Sequence, residues 1–121
     1  MTYSNTILVN PPNPPGKVSN KDSMGGFGQL YPDGAPPFPP LDIPYLAASL
    51  TQAERAVSVI EAGALRLSLD TFLGQLAARS GIASALVVVR TSLPTIDWDL
   101  EVCRASATGA TRPRSCSTAR W

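Results

Sequence analysis

Ten of the twelve prolines fall within the first 44 residues, in runs such as Pro11-Pro12-Asn13-Pro14-Pro15 and Pro36-Pro37-Phe38-Pro39-Pro40. Proline lacks the amide hydrogen that helix interiors and central strands need, so residues 11–40 can be neither. Regular structure is thereby confined to the apolar segment before the runs, Thr6-Ile7-Leu8-Val9-Asn10, and to the chain beyond Leu41. A strand that runs into a long loop and then a helix is how open α/β sheets build a ligand crevice at the carboxyl ends of their strands. A loop of about thirty residues inside a domain is usually functional or disordered. Met24, Phe27, Leu30, Tyr31 and Phe38 give this one apolar anchors that a solvated linker would not need.

Past the prolines the pattern alternates between helix and strand. Asp42 is a cap candidate with Pro44 in the first turn, and Ile43, Leu46, Ala47 and Leu50 recur at helical spacing. Ala56-Val57-Ser58-Val59-Ile60 reads as a second strand with Glu61 at its carboxyl end. Ser68 caps the clearest helix, whose apolar face is Leu69, Phe72, Leu73, Leu76 and Ala77 and which stops at Ser80-Gly81. The unbroken run Ala85-Leu86-Val87-Val88-Val89 predicts a third strand covered on both faces and therefore central. A third helix is expected over residues 96–104, with Asp97, Asp99 and Glu101 early and Arg104 late, as its dipole prefers. Three strand–helix units predict an α/β fold, an incomplete Rossmann-like parallel sheet with a long Pro/Gly-rich loop after its first strand.

These units make residues 1–104 one partial domain, and residues 105–121 read as an unstructured basic tail. The tail holds Arg112, Arg114 and Arg120 and no acid, whereas the preceding residues hold all nine acids. Three arginines without interleaved aromatics do not make a nucleic-acid footprint. The tail follows where a fourth strand is due, which reads as a natural protein cut short, for instance by a frame change.

The chain has no histidine. That removes hydrolytic triads with an imidazole base and imidazole ligation of a metal. Cys103 and Cys116 alone cannot complete a four-ligand zinc set, and with no leader-like or membrane-spanning segment the reading is a cytoplasmic protein with reduced thiols. Response-regulator chemistry needs a carboxylate where this chain has Asn10. Lys17 and Lys21 lie in the proline-rich loop, too poorly placed to activate a nucleophile.

Two segments are ligand candidates. Met24-Gly25-Gly26-Phe27-Gly28 can bring backbone amides close to a ligand or simply form a turn, and it matches neither a dinucleotide fingerprint nor a Walker loop. Thr91, Ser92 and Thr95 place hydroxyls between a strand end and a helix start, suited to a phosphate, ribose or amide, with helix capping the alternative for Thr95. Asp97 and Asp99 read as helix-start acids and Trp98 as packing.

The segments Ile7-Leu-Val-Asn-Pro-Pro12, Asn20-Lys-Asp-Ser-Met-Gly-Gly-Phe-Gly28, Pro39-Pro-Leu-Asp-Ile-Pro-Tyr-Leu-Ala-Ala48, Val57-Ser-Val-Ile-Glu-Ala62 and Arg90-Thr-Ser-Leu-Pro-Thr95 occur in this order. Together they resemble the N-terminal cobalamin-binding domain of cobalamin-dependent radical S-adenosylmethionine enzymes, over roughly residues 5 to 104. The resemblance implies a Rossmann-like sheet with the corrin over its strand ends. It implies cobalamin as cofactor, bound without a histidine on cobalt, since Asn10-Pro-Pro-Asn-Pro-Pro15 stands where related methyl-transfer domains carry D-x-H-x-x-G. Asn10, Pro11, Gly25, Gly26, Phe27, Thr91, Ser92 and Thr95 are the positions it carries over as cofactor contacts. The radical domain's C-x-x-x-C-x-x-C motif is missing, so no iron–sulfur cluster and no activity of the chain alone are expected, and a separate radical S-adenosylmethionine domain or chain is the implied partner. The alternatives are a remnant or interaction fragment without ligand, and a module for another nucleotide.

Overall fold

Strand β1 (Asn5–Asn10) is the axis of a three-stranded parallel sheet, and the computed structural model describes residues 3–111 around it. Ile7, Leu8 and Val9 are at most 1% exposed, so β1 is covered on both faces and both edges, as its apolar run requires. Strand β4 (Val57–Glu61) pairs on one side, Thr6 opposite Val57 through Asn10 opposite Glu61. Strand β5 (Ala85–Val89) pairs on the other, Asn5 opposite Ala85 through Val9 opposite Val89. In order of appearance the units therefore lie second, first, third, the order in which flavodoxin-like doubly wound sheets begin.

The expectation of a central third strand is corrected. β5 is an edge strand of this sheet, with Leu86 and Val88 over a third exposed. Its continuous apolar run has two causes: odd residues face the core, and even residues face a surface that, among the described residues, only α1 (Asp42–Gln52) approaches.

Helices α2 (Leu69–Ala77) and α3 (Ile96–Ala105) supply Phe72, Leu76 and Val102 to the core on the other face, against Ile7, Val9 and Ile60. Ser68 caps α2 as its sequence demands, its Oγ accepting from the Thr71 amide at 3.1 Å. Asp42 does not cap α1: Leu41 is the first flanking residue, and its amide donates to Asp22 Oδ2 at 2.7 Å from a distant loop. No side-chain cap is present at Thr95 either.

The proline-rich segment contains no helix longer than one turn and no central strand, as expected, yet it is more than a loop. β2 (Lys17–Asn20) and β3 (Gln29–Pro32) form an antiparallel hairpin, with the 3₁₀ turn Met24–Gly26 at its tip. Pro32 sits at the end of β3, where its missing amide costs no ladder bond. Asn13 pins the hairpin, its Nδ2 donating to Gly63 O and its Oδ1 accepting from the Ser19 amide and hydroxyl.

The boundary drawn after Arg104 is also corrected. Ala105 ends α3, and Ser106–Thr111 continues as a π-helical turn packed on α2. Ser106 is buried and its Oγ donates back to Val102 O at 2.8 Å, a helical bond that the absence of apolar periodicity hides. The rest of the expected tail, including its three arginines and Cys116, lies outside the described residues.

Candidate functional site at the carboxyl ends of the strands

The strand order places the switch point between β1 and β5, where the helices that follow Asn10 and Arg90, α1 and α3, pack on opposite faces of the sheet. Side chains of the protein fill this crevice. Lys21 is 3% exposed, and its Nζ donates to Arg90 O at 2.9 Å and to Asp99 Oδ2 at 2.8 Å. Thr91 Oγ1 and Thr95 Oγ1 donate to the same carboxylate oxygen, each at 2.7 Å. Ser92 Oγ lies 2.7 Å from Thr95 Oγ1 and extends the chain of hydroxyls. Burial lowers the Lys21 pKa, with the adjacent Asp99 charge opposing that effect.

Arg90 closes the outer side. Its guanidinium contacts Asp22 Oδ1 at 2.8 Å and Asp42 Oδ2 at 2.6 Å, tying the hairpin and the start of α1 to the end of β5. Trp98 Nε1 donates to Pro12 O at 2.8 Å, so α3 is fastened to the first proline run. Trp98 thus has a hydrogen-bonding task besides packing.

Asn10 is 3% exposed; its Nδ2 donates to Glu61 Oε1 at 2.9 Å while its Oδ1 accepts no bond among the described residues. Burial raises the Glu61 pKa above its ordinary value, against the Asn10 hydrogen bond that lowers it. Gly63 is required beside this pair, because a Cβ there would stand 2.7 Å from Asn10 Nδ2.

The eight sequence candidates divide into two groups. Asn10, Pro11, Ser92 and Thr95 are buried, Thr91 is half-buried, and the hydroxyls of Thr91, Ser92 and Thr95 are used within the protein. Gly25, Gly26 and Phe27 are exposed on the rim above them. The two groups meet: Leu93 N donates to Phe27 O at 3.0 Å, and Gly28, at φ +94°, packs so closely on Ser92 that a Cβ would come within 2.6 Å of it. Gly25 and Gly26 have positive φ and open space where a side chain would be, so a ligand can approach their backbone.

The rim is apolar. Met24 and Phe27 on the hairpin, Leu41 and Tyr45 at the start of α1, Leu65 after β4, and Leu93 after β5 are each at least 63% exposed. At the opposite end of the sheet, among the described residues, Tyr3 at 44% and Leu86 at 39% are the exposed large apolar side chains. An open groove of about 710 Å³ runs from Asp22 and Gly26 along Leu41, Tyr45, Leu46 and Ser49.

Lys21, Arg90 and Asp99 are site residues that no local pattern in the sequence singles out. Asp99 carries an ordinary helix-start signature and Lys21 has no partner nearby in sequence; only the 78-residue closure that brings them together reveals the pair. Among the described residues no group of acidic and cysteine side chains is arranged to hold a metal ion, and no helix is long and apolar enough to cross a membrane. Cys103 is a free, half-buried thiol whose pKa is raised chiefly by burial.

No protein-family model matches the chain, and no curated protein or solved structure matches it either.

Proposed function

We propose that this chain is a binding module for a flat, largely apolar macrocycle of the cobalamin class, seated on the rim at the carboxyl ends of β1, β4 and β5. One observation carries the reading: among the described residues the six most exposed large apolar side chains all stand around that rim, and none at the opposite end exceeds 44% exposure. Exposed clusters of this kind mark ligand or partner sites. Phe27, Met24, Tyr45 and Leu93 fit a ring face, and the open backbone at Gly25 and Gly26 fits the amide side chains around its edge. The resemblance in sequence supports the choice of corrin over other flat ligands.

The buried hydroxyls fit less well. Thr91, Ser92 and Thr95 hold Asp99 and Lys21 in place, and in this arrangement they position the loops beneath the ligand instead of touching it. When bound, cobalamin would supply a cobalt–carbon bond for methyl transfer in an enzyme completed by a separate radical S-adenosylmethionine domain. This chain would bind, orient and shield the group, and no histidine of the chain could ligate its cobalt. We place it in the cytoplasm, where the free Cys103 thiol stays reduced.

Titration with hydroxocobalamin, followed by the visible difference spectrum, tests the proposal. Saturable binding is expected, weakened about 10- to 100-fold in Phe27→Ser or Tyr45→Ser, since each removes an aromatic contact worth about 1.5–3 kcal/mol. The filled crevice favours one other reading, an interaction fragment without ligand. A folded protein whose spectrum of added hydroxocobalamin stays that of the free compound selects that reading.

A further inference from the structure

The two edges of the parallel sheet are finished differently. On β4 the outward carbonyl of Val59 accepts a hydrogen bond from Arg79 Nη2 at 3.2 Å, and Glu61 adds a charge at the strand end. Such charged decoration is how edge strands avoid pairing with another chain. β5 has none, for Ala85-Leu86-Val87-Val88-Val89 carries no charge and no proline.

Its hydrogen-bonding pattern can be read from the bonds at its ends. Arg90 N donates to Val9 O at 2.9 Å and Ser84 O accepts from Ser4 N at 3.0 Å, so the even residues of β5 face β1 and the odd residues face outward. Among the described residues nothing bonds the outward amides and carbonyls of Val87 and Val89; the Ala85 amide is taken by Ile82 O, leaving its carbonyl. Beside this edge, on the face carrying α1, Leu86 and Val88 stand 39% and 37% exposed, next to Leu46 at 43%. The groove between Val88 and α1 is about 320 Å³ and continues to Leu8 and Ile43.

We infer that β5 is the interface of a two-fold dimer, in which two copies of this chain join β5 to β5 antiparallel and make one continuous six-stranded sheet. The strand is self-complementary in the way an isologous contact requires. With Val87 on the dyad, each Val87 amide donates to the other copy's Val87 carbonyl, and each Val89 amide donates to the other copy's Ala85 carbonyl. These four bonds use every free outward group on the edge except the Val89 carbonyls, which face the occupied Ala85 amides, and they need no group already taken. Leu86 then lies opposite the other copy's Val88 on the exposed face, an apolar cross-strand pair in both halves. Arg90 falls opposite Ser84, and its charge is already held by Asp22 and Asp42, so no like charges meet.

Sedimentation velocity of the full chain over a range of concentrations tests the inference. A reversible monomer–dimer equilibrium is expected, and the double substitution Leu86→Glu/Val88→Glu, which sets carboxylates opposite each other across the dyad, should leave only monomer with an unchanged far-ultraviolet circular dichroism spectrum. Hydrogen exchange of the unsubstituted protein gives an independent reading: the Val87 and Val89 amides should slow about tenfold or more on going from dilute to concentrated solution. A wild-type chain that is monomeric throughout, assembly beyond the dimer, a dimer that survives the paired glutamates, or Val87 and Val89 amides indifferent to concentration would each overturn it.

Discussion

At the scale of single residues, the Lys21–Asp99 pair holds the most leverage. Both side chains are 3% exposed, and Asp99 Oδ2 collects three donors within 2.8 Å. Breaking a buried pair leaves an uncompensated charge, whereas replacing both members with apolar residues removes the desolvation cost together with the attraction. Lys21→Met should therefore cost about 3–5 kcal/mol in urea unfolding, while Lys21→Met/Asp99→Leu should recover most of that loss. Glu61 offers a test by pH. Burial raises its pKa above the ordinary 4.5, so between 4.5 and the raised value the native chain binds more protons than the unfolded chain. Its contribution to stability is present below that window and is lost as pH rises through the folded pKa. Glu61→Gln keeps the acceptor for Asn10 Nδ2 and removes the titration. The variant should melt above the parent at neutral pH, with the gain vanishing as pH falls below 4.5. An equal difference at every pH would contradict the assignment.

Among the elements, those whose signals are local were legible and those made by distant contacts were not. Ser68 and the apolar stripe of Leu69, Phe72, Leu73 and Leu76 announce α2, and the structure honours both the cap and the buried face. Ser68→Ala should accordingly lower stability by about 1 kcal/mol in thermal unfolding. The three strands of the parallel sheet are equally plain, because β-branched runs bounded by polar residues have few alternatives. The hairpin was hidden: Lys17-Val18-Ser19-Asn20 is too short to alternate visibly, and Asn13 and Trp98 fix it through bonds to Gly63, Ser19 and Pro12 that no local pattern encodes. Capping of α1 failed for the same reason, since Asp22 takes the Leu41 amide from nineteen residues away. The π-helical turn after Ala105 rests on a buried serine bonding back to Val102, which composition cannot distinguish from a polar tail.

For the molecule as a whole, parallel strand–helix units were readable and their lateral order was not. An apolar run such as Ala85–Val89 looks alike whether a helix or an unfilled surface covers its second face, so the pattern alone predicts β5 at the centre that β1 occupies. Of the candidate site, the rim position was legible because strand ends are where such sheets bind. The division of labour within it was not: Phe27, Gly25 and Gly26 face solvent, while Thr91, Ser92 and Thr95 serve the buried Lys21–Asp99 pair. The apolar rim above a filled crevice is the feature on which the functional account stands. Its most direct test is gel filtration of the folded chain after incubation with excess hydroxocobalamin, counting the corrin that co-elutes. The account predicts about one corrin per chain at saturation, as a single rim site requires; a cooperatively folded protein that elutes colourless would contradict it.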